Sequence, residues 1–178
     1  MERSIVLVSL AFAASSAIAG DFVFFSEFEA RVHPVPGAVI INESMPDPSM
    51  VSDGAGEWIE LANVSSQTVD LGDCTIGNGT TNNILPTYAF APGFAELAHS
   101  TDAVTNGGIT AFATFTFALT SSGTFFLDCD GREIDHAPWA SGVAGQSFSL
   151  YPDKTNASDN DVVESWCFYV ATTYNGVD

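Results

Sequence analysis

Hydrophobic and polar positions alternate along short segments of the chain, as they do in β-strands with one buried face. Clusters of Gly, Pro, Asn, Asp and Ser separate these segments and are typical of turns. Seven strands are predicted, over residues 38–43, 57–64, 67–76, 93–100, 109–119, 123–129 and 132–137. Short strands with regular turns and no convincing helical period predict an all-β antiparallel sandwich or barrel.

Two places in this pattern predict finer detail. Phe112, Phe115 and Phe117 cannot all share one face of a straight strand, so we predict a β-bulge near Ala113. The Asp-Gly pair at 130–131 lies between two apolar segments and predicts a tight hairpin turn. A calcium loop is the alternative for this pair, but the ligands expected further along the chain are absent.

The chain begins with a pattern that differs from the rest. Residues 1–19 contain one basic residue, an uncharged apolar run and a closing Ala-Ile-Ala triplet, which predicts a secretory signal peptide. A membrane anchor is the alternative, but the apolar run is short for a span, so we expect no membrane insertion. Residues 20–36 end in Pro34 and Pro36 and are predicted to be a lead-in or linker. The folded domain is therefore expected over residues 37–178.

Composition and charge narrow the class of partner. The chain is 46% hydrophobic, which excludes disorder, and its 22 acidic against 4 basic residues give a net charge of −18. Such a surface repels nucleic-acid phosphates, so no nucleic-acid partner is expected. The acids are scattered along the chain, which favours a role in solubility over the attraction of cations.

Several motifs resemble one known family. Residues 39–76, "VIINESMPDPSMVSDGAGEWIELANVSSQTVDLGDCTI", are similar to the signature of the bacterial lamin-tail domain. "FAPGF", "LDCDGREID" and "AGQSFSL" follow in the family's order, and "WC" at 166–167 is typical of its secreted, cysteine-bearing branch. The resemblance implies an immunoglobulin-like β-sandwich over residues 37–178, often attached to secreted enzymes or adhesins. Members continue beyond the point where this chain stops, which favours a domain truncated at its C-terminus.

The acidic residues around "DGAGEWIEL" are the candidate site. Glu57 and Glu60 are three positions apart on a strand, so they point to opposite faces and cannot form a close catalytic pair. Glu43, Asp53 and Glu57 are predicted near one loop with Asp47, where acids either accept hydrogen bonds from loop amides or bind calcium. The fixed spacing of a calcium loop is absent, which favours the first interpretation.

Cysteines and apolar strand positions predict the core. Trp58, Ile59 and Leu61 are expected to be structural core residues. In an oxidising compartment, Cys74 and Cys129 are predicted to form a disulfide, since both lie on apolar faces of their strands; three reduced cysteines are the alternative. The family's usual partner of Cys167 lies past the end of this chain, so the resemblance implies a free thiol or a bond between molecules.

No nucleophile, base or cofactor motif is assembled in the sequence. The leading hypothesis is a secreted, non-catalytic module, extracellular or periplasmic, for an unknown protein or polysaccharide partner. No cofactor is expected, with calcium as the exception to test. The alternative hypothesis is a calcium-dependent extracellular hydrolase, or its accessory domain, that uses Glu43, Asp53, Glu57 or Glu60.

Overall fold

The computed structural model describes residues 31–119 and 121–170. The chain divides into two compact units, Met1–Ala30 and Arg31–Asp178, and all described residues belong to the second. The predicted signal peptide, most of the predicted lead-in and residues 171–178 lie outside the described residues. The boundary predicted between residues 36 and 37 falls inside the second unit, because Val35 and Val32 accept hydrogen bonds from the main chain of Ala38 and Asp70.

Twelve strands account for most of the regular structure in the described residues. A single-turn helix, α1 (Asp53–Gly56), and a 3-10 turn over Val163–Ser165 are the helical elements found there. The strands are β1 Val39–Met45, β2 Trp58–Asn63, β3 Val69–Asp70, β4 Thr75–Gly77, β5 Asn82–Ile84, β6 Ala89–Phe90, β7 Gly93–Ala98, β8 Ala111–Thr114, β9 Gly123–Cys129, β10 Arg132–Trp139, β11 Gln146–Leu150 and β12 Trp166–Val170.

The strands form two main sheets that enclose the core. One sheet has the order β12-β11-β1-β2-β7-β8, the other has the order β10-β9-β4-β5, and β3 pairs with β6 in a small third sheet. The predicted all-β, immunoglobulin-like sandwich is thereby confirmed. One pair departs from the antiparallel pattern: β7 and β8 are parallel, and residues 99–110 make the crossover connection that parallel neighbours require.

The local predictions differ in outcome. The bulge is confirmed, because Ala111 and Ala113 face consecutive residues of β7 and the residue between them is extra. The hairpin is confirmed as well: Asp130 and Gly131 both have positive φ, 54° and 69°, as a two-residue turn of this kind requires. The single strand predicted over 67–76 is wrong, because Asp73 adopts a left-handed φ of 64° and the chain turns between β3 and β4.

The predicted disulfide between Cys74 and Cys129 is present, with both residues buried. Because Thr75 pairs with Asp128 in the β4–β9 ladder, the two cysteines are neighbours within the four-stranded sheet. The bond therefore closes the chain between adjacent strands of one layer. Cys167 is a free, partly exposed cysteine.

The three predicted core residues divide between two clusters. Ile59 and Leu61 are fully buried in the main core between the sheets. Trp58 is 3% exposed but packs in a second cluster with Met45, Ala98 and Ile109. The division follows from strand geometry, since Trp58 and Ile59 point to opposite faces of β2.

Candidate functional site

Glu57 lies immediately before β2 and is completely buried. Its Oε2 accepts a hydrogen bond from the main-chain N–H of Leu119 at 2.9 Å and lies 3.3 Å from His99 Nε2. Burial raises the pKa of Glu57, while the Leu119 amide and His99 act in the opposite direction. The Glu57 carboxylate thus connects two segments that are far apart in the chain. Its Oε1 has no hydrogen-bond partner among the described residues.

Glu43 and Glu60 lie beside each other in the large sheet, because they are paired across β1 and β2. Glu96 on β7 is paired with Glu60, so three carboxylates form a row across adjacent strands. Ser149 donates a hydrogen bond to Glu43 and Asn42 donates one to Glu60, both at 2.8 Å. Like charges at paired strand positions repel each other. The hydrogen bonds donated by Ser149 and Asn42 are therefore needed to stabilise the row. Sequence reasoning found two of its members and missed Glu96.

Asp53 lies exposed in the first turn of α1. Glu43 is paired with Glu60 across two strands. Glu57 accepts a hydrogen bond from Leu119, so Glu43 and Glu57 contact different groups. Within residues 31–119 and 121–170, no group of three or more His, Cys, Asp or Glu is placed to hold a metal ion. Asp53 is near enough to Glu57 to raise its pKa, but Glu43, Asp53 and Glu57 do not form such a group in the described residues.

A buried polar node, formed by Asp135 and Asn160, joins the two sheets. Sequence reasoning missed it. Asp135 of β10 is 3% exposed, and its Oδ2 accepts hydrogen bonds from the Ile41 N–H and from Asn160 Nδ2, both at 2.8 Å. Asn160 also donates to the Ile41 carbonyl and accepts from the Trp166 indole. β11 pairs with β1 only at Glu43 and Ser44, so the main-chain N–H of Ile41 has no partner on β11. A buried N–H group needs an acceptor, and the Asp135 carboxylate provides it.

Burial controls the titration of this node. It raises the pKa of Asp135 to about 7, while the Ile41 amide and Asn160 favour the charged form. Asp135 Oδ1 and Asn160 Oδ1 are both buried without a partner in the described part of the chain. A proton on Asp135 removes the charge from a site that desolvates it. Asn160 lies in an acidic segment of the sequence and is nevertheless completely buried.

A cavity of about 300 Å³ lies beside the node, between β10 and the turn at 157–161. Pro36, Ile134 and Ala157 contribute apolar wall, and Asp135 lines it as well. At its polar side His136 lies between two carboxylates, with Nδ1 2.9 Å from Glu133 and Nε2 3.4 Å from Asp161. The sequence offered one signal for this cavity: Asp135 is an acidic residue inside an apolar strand segment.

The fold and these groups define an immunoglobulin-like β-sandwich domain with a row of carboxylates in its large sheet. The family model of the lamin tail domain matches residues 33–164. The chain belongs to the lamin tail domain family, as the resemblance in its motifs predicted. The search of curated proteins returned no match. In the described residues, no helix has the length and apolar character needed to cross a membrane.

Proposed function

We propose that the chain is a secreted, non-catalytic β-sandwich module that binds a protein or polysaccharide partner, or spaces an extracellular or cell-surface assembly. Membership of the lamin tail family supports a β-sandwich module. The disulfide between Cys74 and Cys129 is compatible with an oxidising compartment, and the first 19 residues have the pattern of a signal peptide.

One observation carries the non-catalytic part of the proposal: of the three buried acids in the described residues, Glu57 and Asp135 are engaged with the main chain. Glu57 accepts from Leu119 and Asp135 accepts from Ile41, and both side chains are almost completely buried. A catalytic acid or base must reach the proton that it transfers on a substrate. These carboxylates instead satisfy amides that the strand ladders leave over, which is a structural role.

The histidines support the same interpretation. His33 bonds Asp130, His136 lies between carboxylates, and His99 contacts Glu57 and the Phe117 carbonyl. A nucleophile activated by histidine needs a hydroxyl or thiol within hydrogen-bond distance of the ring. The polar contacts of these rings are with carboxylates and a carbonyl, which supports a role in positioning the rings.

Hydrolase assays on the purified chain test the proposal. Nuclease, phosphatase and glycosidase substrates should show no turnover above the buffer rate, with and without calcium. Turnover that persists through repurification and disappears in Glu60→Gln, with the disulfide and fold intact, would contradict a non-catalytic role. Asp102→Asn is the matched control, since it removes an acid on the distant turn at 100–106.

A calcium-dependent hydrolase or its accessory domain is the second candidate, and the two paired carboxylates of Glu43 and Glu60 favour it. Carboxylate oxygens are the ligands that calcium prefers, and extracellular sites bind calcium at roughly 0.1 to 1 mM. Calorimetric titration of calcium into the chain decides between the two. Saturable heat that is lost in Glu60→Gln favours the second candidate, whereas a flat isotherm across that range removes it.

A further inference from the structure

The cavity beside β10 combines an apolar wall with an acidic side. Pro36, Ile134 and Ala157 offer contacts to aliphatic groups, while Glu133 and Asp161 contribute carboxylates. This combination suits a side chain that has a methylene stem and a cationic head, because such side chains pack their stems on apolar surface and keep the charge beside polar groups.

His136 faces both carboxylates on the acidic side of the cavity. Its two ring nitrogens face Glu133 and Asp161, at 2.9 and 3.4 Å. A neutral imidazole carries one N–H, so it can donate to one of these carboxylates and must present a lone pair to the other. With the neutral ring, one carboxylate of the pair faces an acceptor, and an external cation beside it relieves that contact.

The basic side chains of the described residues are engaged elsewhere. Arg31 pairs with Asp70 and Asp73, and Lys154 lies 3.8 Å from Asp159. Arg132, which begins β10, lies 3.9 Å from Asp130 at the hairpin turn. None of these cations lines the cavity. Lysine and arginine side chains of the described residues therefore do not neutralise the acids of the cavity, and a cation from outside the domain can.

A second feature of the cavity is independent of the exposed acids. Asp135 lines it, is 3% exposed, and uses Oδ2 for both of its hydrogen bonds. Its Oδ1 is buried without a partner among the described residues. A buried carboxylate oxygen without a donor is costly, and a nearby cation lowers that cost.

We propose that this pocket binds a cationic side chain, arginine or lysine, of a partner protein. The inference rests on the proposed function as a binding module and names the chemistry of the partner. The stem lies against Pro36 and Ala157, and the charged head lies beside the Glu133 and Asp161 carboxylates, next to the His136 ring that separates them. The net charge of −18 on the chain speeds the approach of a basic partner.

The test is a titration of the full chain, followed by amide NMR, with three small probes. The probes are N-acetyl-arginine methylamide, the lysine equivalent and the citrulline equivalent, which has the shape of arginine without its charge. We expect saturable shifts at the amides of Gly37, Ile134 and Ser158 with arginine or lysine, and none with citrulline. The stronger of the two cationic probes identifies the preferred side chain. Raising the salt concentration should weaken the shifts, because exposed charge pairs are screened.

The double variant Glu133→Gln/Asp161→Asn should bind the better probe about tenfold more weakly. Asp53→Asn/Asp102→Asn removes the same charge from two exposed positions and should bind as the unaltered chain does. Equal binding of citrulline, equal weakening in both double variants, or no saturable shift would overturn the proposal. The citrulline comparison needs no variant, so it decides even where a variant fails to fold. The hydrolase assays test the proposed function separately. Failure of the pocket proposal can therefore be told apart from failure of the proposed function.

Discussion

The interior between the sheets and the polar node around Asp135 hold the sandwich together by different means. The interior packs apolar side chains such as Ile59, Leu61 and Phe125 around the buried disulfide. At the node, Asp135 and Asn160 join β1 of one sheet to β10 of the other through hydrogen bonds.

The difference is one of sensitivity to protons. Burial of apolar surface stabilises the fold at any pH, because no group in it titrates. A buried carboxylate stabilises the fold in one protonation state and opposes it in the other. The same two sheets are therefore held by one contribution that is independent of pH and by one that depends on it.

Removal of the disulfide has the largest expected effect on the interior. Cys74→Ala/Cys129→Ala opens a loop closed across a sequence separation of 55 residues. The loss of that constraint on the unfolded chain should lower the free energy of unfolding by about 4 kcal/mol. Denaturant titration measures it, and reduction of the unaltered chain should produce a similar loss. The loss should be the same at pH 5 and pH 8.

Asp135→Asn tests the polar node through pH. The pKa of Asp135 is raised from 3.8 to about 7 in the fold, so its contribution is complete below pH 3.8 and is lost as the pH rises through 7. The variant cannot titrate there. Relative to the unaltered chain, the variant should gain stability between pH 4 and 8, by as much as about 4 kcal/mol. Denaturant titrations at several pH values that give parallel curves would contradict this role.

Trp58→Ala extends the comparison to the second apolar cluster. The ring is 3% exposed and packs against Met45, Ala98 and Ile109. Because this cluster is small, we expect a loss near the low end for buried aromatic truncations, about 3 kcal/mol, independent of pH. A loss below about 1 kcal/mol by denaturant titration would show that the ring contributes little to the fold.

Glu57→Gln is the polar counterpart with a smaller expected effect. Burial raises the pKa of Glu57, but His99 and the Leu119 amide favour its charged form. Its contribution is complete below the ordinary pKa of the group and is partly lost as the pH rises through the raised value. The variant should therefore gain less stability toward neutral pH than Asp135→Asn gains. A larger gain, in the same denaturant series, would reverse the ranking of the two buried acids.

Cys167 has the smallest expected effect on stability, because it is partly exposed and free. Intact mass after alkylation without reduction should show one label per chain, as a single thiol beside one disulfide requires. Three labels would contradict the disulfide in solution. Cys167→Ser should change the free energy of unfolding by less than about 0.5 kcal/mol, as surface substitutions usually do.

Much of the fold could be predicted from local pattern. The alternation of apolar residues on β2, β9 and β10 indicated strands, and the Asp130-Gly131 pair indicated the turn between two of them. These features depend on the side chains and backbone preferences of neighbouring residues, which the sequence displays directly. Strands such as Asn82–Ile84 were missed, because their pairing with β4 outweighs a polar sequence.

The candidate site was predicted only in part, for a reason that concerns register. Glu43 and Glu60 could be named from their motif, but Glu96 joined them only because β7 pairs with β2 at that residue. Asp135 and Asn160 are 25 positions apart and each bonds Ile41, far earlier in the chain. No local pattern marks such partners, since they meet through the packing of separate elements.

The sequence by itself determined the all-β class, the lamin tail family and the pairing of Cys74 with Cys129, because strand periodicity, motif order and cysteine number are properties of the linear chain. The tertiary structure decided which acids meet, which are buried and which amides they satisfy. Those outcomes depend on sheet order and on the amides that the ladders leave unpaired, such as that of Ile41. A carboxylate acquires its role from the groups that the fold places around it.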